Sequence, residues 1–148
     1  MKILVDADSC PVRAREIIIR NAKRLHIQAI FAANRSIPDV KGANIRMEIC
    51  GTSEGAADQR ILELAETGDL VISRDIPLAQ KLIEKGINVI NDRGREYNSE
   101  NIGEMLSLRN FTVNLVNNGL DFERSASYGK KEIQKFAASL DRILSKSS

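Results

Sequence analysis

Two aspartates stand one residue apart where an apolar run ends. Ile3, Leu4 and Val5 lead into Asp6 and Asp8, and Cys10 and Pro11 follow. Side chains at i and i+2 of an extended segment point to one side. At about 4 Å and an effective dielectric of 20, two such charges repel by about 4 kcal/mol. Either their proton affinities rise or a cation sits between them. Asp58, in AADQRILELAE, and Asp75, in LVISRD, are the further carboxylates of interest. Oxygen ligands select Mg²⁺ or Mn²⁺ over zinc. Such an ion keeps several waters, one of which can act as a nucleophile. The chemistry indicated is metal-assisted hydrolysis, with Asp6, Asp8, Asp58 and Asp75 as metal ligands and catalytic residues.

The elements that must bring these residues together follow from periodicity. KILV, 2–5, reads as a short buried strand. Pro11 suits the first turn of a helix, and the apolar spacing of 12–25 fits a helical face. IQAIFAA, 27–33, is a second strand, and NRSIPDVKGAN, 34–44, is a loop. IRMEIC, 45–50, is a third strand. Its alternation (Ile45, Met47 and Ile49 against Arg46 and Glu48) places it at a sheet edge. A helix over 56–66 closes at Gly68. DLVIS, 69–73, is a fourth strand, a helix over 76–85 closes at Gly86, and INVIN, 87–91, is a fifth strand. NDRGREYNS is a turn-rich connector. A helix over 99–118 has a break in view at SLRNF, FERSASYGK is a hinge, and 130–145 is a docking helix with a short flexible tail. The order specifies an α/β fold: a single three-layer domain over 1–148, its mainly parallel sheet flanked by helices.

Ligands of such sheets bind beyond the carboxyl ends of the strands. Asp6 and Asp8 lie past the first strand and Asp75 past the fourth. Asp58 opens the helix leading into the fourth strand, which begins on the same rim if that connection is right-handed. Each residue also has a structural explanation. Asp75 before IPL is a good N-cap, although capping leaves one oxygen unused. Asp58 gains from the helix dipole, and Asp8 is placed to cap the helix starting at Pro11. Asp6, emerging directly from a buried strand, is the hardest to explain without a partner. Asn34 and Arg35 after the second strand, and Asn91 and Arg93 after the fifth, are the substrate-binding candidates. Arg35, Arg93 and Arg95 have the chemistry of phosphate clamps. His26, the single histidine, lies at a helix-to-strand turn away from the rim. Cys10 is read as a packing residue, because Asp6 and Asp8 oppose thiolate formation.

Composition narrows the function. A chain of 148 residues with 43% apolar and 28% charged residues is an ordinary globule. Aromatics are 4% with no Trp, which argues against a single-strand binder built on stacking platforms. Two cysteines make no disulfide framework, MKILVD does not read as a signal peptide, and no apolar run reaches the ~20 residues of a membrane span. The expected compartment is the cytoplasm, with both thiols reduced and no membrane association. The net charge of +2 arises in 121–148, because 1–120 holds equal numbers of acidic and basic residues. Any basic footprint is therefore local.

DADSCP, AAD, GDLVISRDIPLA and NDRGREY, in this order over most of 1–120, resemble the YaiI/YqxD family of bacterial proteins. That family in turn resembles PIN-like domains, a group rich in Mg²⁺- and Mn²⁺-dependent nucleases with an acidic cluster at the carboxyl edge of the sheet. The resemblance implies a PIN-like nuclease acting on RNA or DNA, with RNA the first candidate. Asp6 and Asp8 match the family's DAD motif, Asp58 the Asp of the second helix, and Asp75 the Asp after the fourth strand. Asp92 stands where the family pattern has Pro between Asn91 and Arg93, so it receives no ligand role. FERSASYGKK replaces a Gly-rich stretch of the pattern. Two other functions compete. One is a haloacid-dehalogenase-type phosphatase with Asp6 as nucleophile, Asp8 as acid, and Ser73 and Lys81 as supporting groups. Against it, Gly68-Asp69 precedes a strand rather than following one. The other is a non-catalytic module that binds nucleic acid or protein.

Overall fold

Alternation along the strands sets the layers. The computed structural model describes residues 1–53, 55–117 and 128–146. The elements are β1 (Lys2–Asp6), α1 (Val12–Leu25), β2 (Gln28–Ala33), β3 (Ile45–Ile49), α2 (Ala56–Leu64), β4 (Leu70–Ile72), α3 (Ile76–Glu84), β5 (Asn88–Ile90), β6 (Glu96–Tyr97), α4 (Ile102–Asn117) and α5 (Lys130–Lys146). They form one sheet of order β3-β2-β1-β4-β5-β6. All pairings are parallel except the last, β5 with β6.

Ile3, Val5, Phe31, Ile72 and Ile90 face a layer made by α1 and α5, where Ile18, Phe136 and Leu140 are fully buried. Leu4, Ala32, Val71 and Val89 face the opposite layer of α2, α3 and the start of α4, around Ile61, Leu82 and Ile102. Both faces of β1, β2 and β4 are thus covered, which is why they read as continuous apolar runs. Each fully buried Leu, Ile or Phe contributes about 1.5–3 kcal/mol of transfer free energy. The α/β architecture expected from the sequence is the one observed. The C-terminal helix buries Phe136, Leu140 and Leu144 in the layer shared with α1.

Several boundaries depart from the expectation for local reasons. Helix α2 stops at Leu64, with Ala65 already extended, instead of continuing to 66 with Gly68 as its cap. The buried Asp69 carboxylate accepts from the backbone N–H of Glu66 (2.8 Å) and of Lys2 (3.1 Å), and from Lys2 Nζ (2.6 Å). Glu66 therefore turns toward β4, and Gly68 shapes that turn at φ +95°. The edge strand β3 does not bury Ile49, which is 60% exposed. Glu48 is instead half-buried, held by Arg60 Nε at 2.8 Å and Arg46 Nη2 at 2.8 Å. The connector after β5 contains β6, too short for alternation to reveal. Helix α4 begins at Ile102 and runs unbroken through SLRNF, 107–111. Of the expected hinge, 122–127 lie outside the described residues, as do 147–148 of the tail. Among the described residues, no helix is long and apolar enough to cross a membrane.

The chain leaves β1 through α1 on one face and enters β4 through α2 on the other. The carboxyl ends of β1 and β4 therefore border the crevice where strand order reverses, the usual ligand position in open α/β sheets.

Candidate active site

Asp6 is the last residue of β1 and is half-buried. Its Oδ2 accepts a hydrogen bond from Ser73 Oγ at 3.3 Å. Ser73, directly after β4, is 3% exposed, and its Oγ accepts from the backbone N–H of Asp75 at 3.0 Å. Asp75 is the N-cap of α3, and its Oδ1 accepts from Leu78 N–H at 2.9 Å. Capping thus uses one oxygen of Asp75. A serine buried between two carboxyl-bearing strand ends fixes both relative to the sheet.

Asp58, in the first turn of α2, reaches the same place from the helix packed beside α3 in the same layer. Burial first, then a hydrogen-bonding contact with the Asp75 carboxyl and the charges of Asp75 and Asp6, push Asp58 up to about 7, against a smaller opposing pull from Lys81. Asp6 is raised as well. Burial is the main cause and the Asp75 and Asp8 charges add to it, while hydrogen bonds from Ser73 and Ser9 offset part of the rise. Asp8 stands further out. It is exposed, and its Oδ2 accepts from Asn34 N–H at 2.9 Å, tying the loop after β1 to the end of β2. It does not cap α1, whose N-cap is Pro11 with no side-chain bond.

Asp6, Asp58 and Asp75 therefore interact as a chain, with Asp8 on its outer side. Among the described residues, no three His, Cys, Asp or Glu side chains surround a point that could hold a metal ion. The donor chemistry nevertheless suits a hard cation. The carboxyls are pressed together, and Asp58 retains a proton near neutrality that a cation would replace. Mg²⁺ ordinarily takes only one or two protein carboxylates and completes its shell with water and phosphate. Beside the pair lies a cavity of about 310 Å³ lined by Asp58, Asp75, Gln59, Pro77 and Lys81.

The four substrate-binding candidates divide. Asn34 and Arg35 are exposed at the carboxyl end of β2, on the rim. Asn91 is used locally: its Oδ1 accepts from the N–H groups of Arg93 and Arg95, both at 2.9 Å, closing the turn into β6. Arg93 braces α5, with Nη1 3.7 Å from Glu132 Oε1 and its guanidinium 5.8 Å from the centre of the Tyr128 ring. Arg95 is exposed. Cys10 is buried, and burial followed by the Asp92 charge pushes its thiol up to about 12, in keeping with a packing role.

Asp92 is the rim residue that sequence reasoning set aside. It is 3% exposed, accepts from Arg74 Nε at 2.6 Å, and lines a narrow crevice with Asp6, Cys10 and Ser73. The signal was available: Asp92 follows β5 by two residues, and Asp75 follows β4 by three.

A family model described as the uncharacterized YaiI/YqxD family matches residues 4–146. The chain belongs to the YaiI/YqxD family. A UPF0178 protein of Treponema denticola is 53% identical over 146 residues, covering 99% of this chain and 93% of that protein. UPF0178 proteins of Treponema pallidum and Syntrophobacter fumaroxidans are 45% and 44% identical, covering 99% of this chain and 82% and 95% of their own lengths. The YaiI/YqxD match thus spans the whole fold, the acidic rim and α5 included.

Proposed function

We propose that this YaiI/YqxD protein is a Mg²⁺- or Mn²⁺-dependent hydrolase of phosphodiester bonds in RNA or DNA, with a PIN-like use of its acidic rim. One observation carries the reading. Asp58 and Asp75, from helices on consecutive connections, are held in contact beside Asp6 at the carboxyl end of the sheet, where Asp58 keeps its proton to about 7. An arrangement that holds carboxyls together at such a cost suits a cation. Asp58 and Asp75 would hold it, and Asp6 is the next carboxylate within electrostatic reach. Bound there, the ion would supply an activated water and stabilise charge on the departing oxygen. Ser73 keeps the Asp6 carboxyl in register with Asp75, and Asn34, Arg35 and Lys81 border the approach. The proposed compartment is the cytoplasm, where both cysteines, unbridged here, stay reduced.

The test is cleavage of labelled single-stranded and structured RNA and DNA with Mn²⁺. Asp6→Asn retains an acceptor for Ser73, and Asp75→Asn retains a good N-cap, so each variant isolates the charge. Loss of about 100-fold or more in rate is expected for either; activity unchanged in both rejects the proposal. The Ser73–Asp6 bond also favours a second reading, a phosphatase with Asp6 as nucleophile. That reading predicts a beryllium fluoride adduct on Asp6 and leaves the Asp58–Asp75 contact unused.

A further inference from the structure

The acidic rim poses a problem for the substrate just proposed, because a phosphodiester would approach several carboxylates. We infer that Arg74 is the cation that receives the phosphate oxygens at this site, and that buried Asp92 is the positioning residue that aims it. This inference rests on the phosphodiester reading.

Arg74 lies between Ser73, which holds Asp6, and Asp75, which contacts Asp58. It lines the same crevice as Asp6 and Asp92. Its Nε donates to Asp92 Oδ2 at 2.6 Å, with the carboxylate side chain 4% exposed and the guanidinium side chain 50% exposed. The anchored edge is thus inside and the head is outside. Among the described residues, the two terminal nitrogens have no hydrogen-bond partner. A guanidinium fixed by one edge presents its remaining N–H groups in a rigid fork that matches two phosphate oxygens. Asp92 is itself held from behind, its backbone carbonyl accepting from Tyr128 Oη at 2.6 Å. The anchor is therefore tied to the segment entering α5. Of the other rim cations, Arg35 and Lys81 are exposed and, among the described residues, have no such anchor.

The competing role is structural: a buried carboxylate needs a counterion, and Arg74 serves only as that. The double variant R74Q/D92N separates the two, since it removes the charge without leaving a buried ion unpaired. Binding of a short fluorescein-labelled single-stranded RNA to the full chain is followed by anisotropy in Ca²⁺, at several salt concentrations, beside thermal unfolding. If Arg74 receives phosphate, R74Q/D92N unfolds near the wild-type temperature but binds about tenfold or more weakly. Its slope of log affinity against log salt also falls by about 0.7, the value of one phosphate contact on a single strand. R74K, which keeps the buried pair but loses the fork, should bind severalfold more weakly, and this result stands if the double variant does not fold. Wild-type affinity and slope in R74K and in a folded R74Q/D92N overturn the inference alone. RNA that fails to bind the wild-type chain overturns the phosphodiester reading with it.

Discussion

Replacing Asp58 by Asn should stabilise the metal-free protein at neutral pH. The carboxyl rises from 3.8 to about 7 in the fold, because burial and the neighbouring Asp75 and Asp6 disfavour its charge. A carboxyl whose folded pKa is raised holds its proton in the native state after the unfolded chain has released it. Stability therefore falls as pH climbs between those two values. That rise corresponds to about 4 kcal/mol. The group is partly open to water, and solvent screening reduces this to about 1–2 kcal/mol. Asn cannot ionise, and its amide can donate to Asp75. Urea unfolding in EDTA at about pH 5 and about pH 8 checks this. Wild type should lose about 1 kcal/mol relative to the variant across that interval, because part of the full effect is already expressed at about pH 5. Added Mn²⁺ at the higher pH should restore wild type far more than the variant, because ligand bound only to the native state adds stability. Parallel behaviour of the two proteins in pH and in Mn²⁺ would falsify the account of a strained carboxyl pair awaiting a cation.

Other consequences follow from groups outside the rim. Asp69→Ala should cost about 2–4 kcal/mol in urea unfolding, since it strands Lys2 and two backbone N–H groups. Burial raises Asp69, but the bonds from Lys2 and Glu66 outweigh it and leave the carboxyl below its ordinary value. Its contribution is therefore present above the usual aspartate range and lost as pH falls through the lowered value. Gly94→Ala should destabilise by more than about 1 kcal/mol and loosen α5. The position has φ +85°, and a Cβ there would lie 2.5 Å from the Lys135 carbonyl oxygen; hydrogen exchange across 130–146 reads the loosening. In the native protein a thiol reagent should label the partly exposed Cys50 well before Cys10, whose thiol is pushed up to about 12. Equal labelling rates by mass spectrometry would show that the loop at Cys10 opens.

The sequence by itself determined the strand and helix alternation, because period-2 and period-3.6 burial patterns are local and the layers simply complete them. It also determined that Asp6 and Asp75 would meet on one rim, since a parallel sheet places every strand's carboxyl end on the same side. Family membership was legible in DADSCP and SRD for the same reason. What tertiary structure alone decided depends on contacts between distant segments. Asn91 and Arg93 looked like Asn34 and Arg35, strand-end polar residues, until the β5–β6 turn and α5 engaged them. Asp69 ended α2 through Lys2, which is 67 residues away in the chain. Asp92 gained its place through Arg74 and Tyr128, neither of them a neighbour in sequence. The close approach of Asp58 to Asp75 was likewise set by two helices packing on one face, since a side-chain contact depends on helix position as much as on residue type.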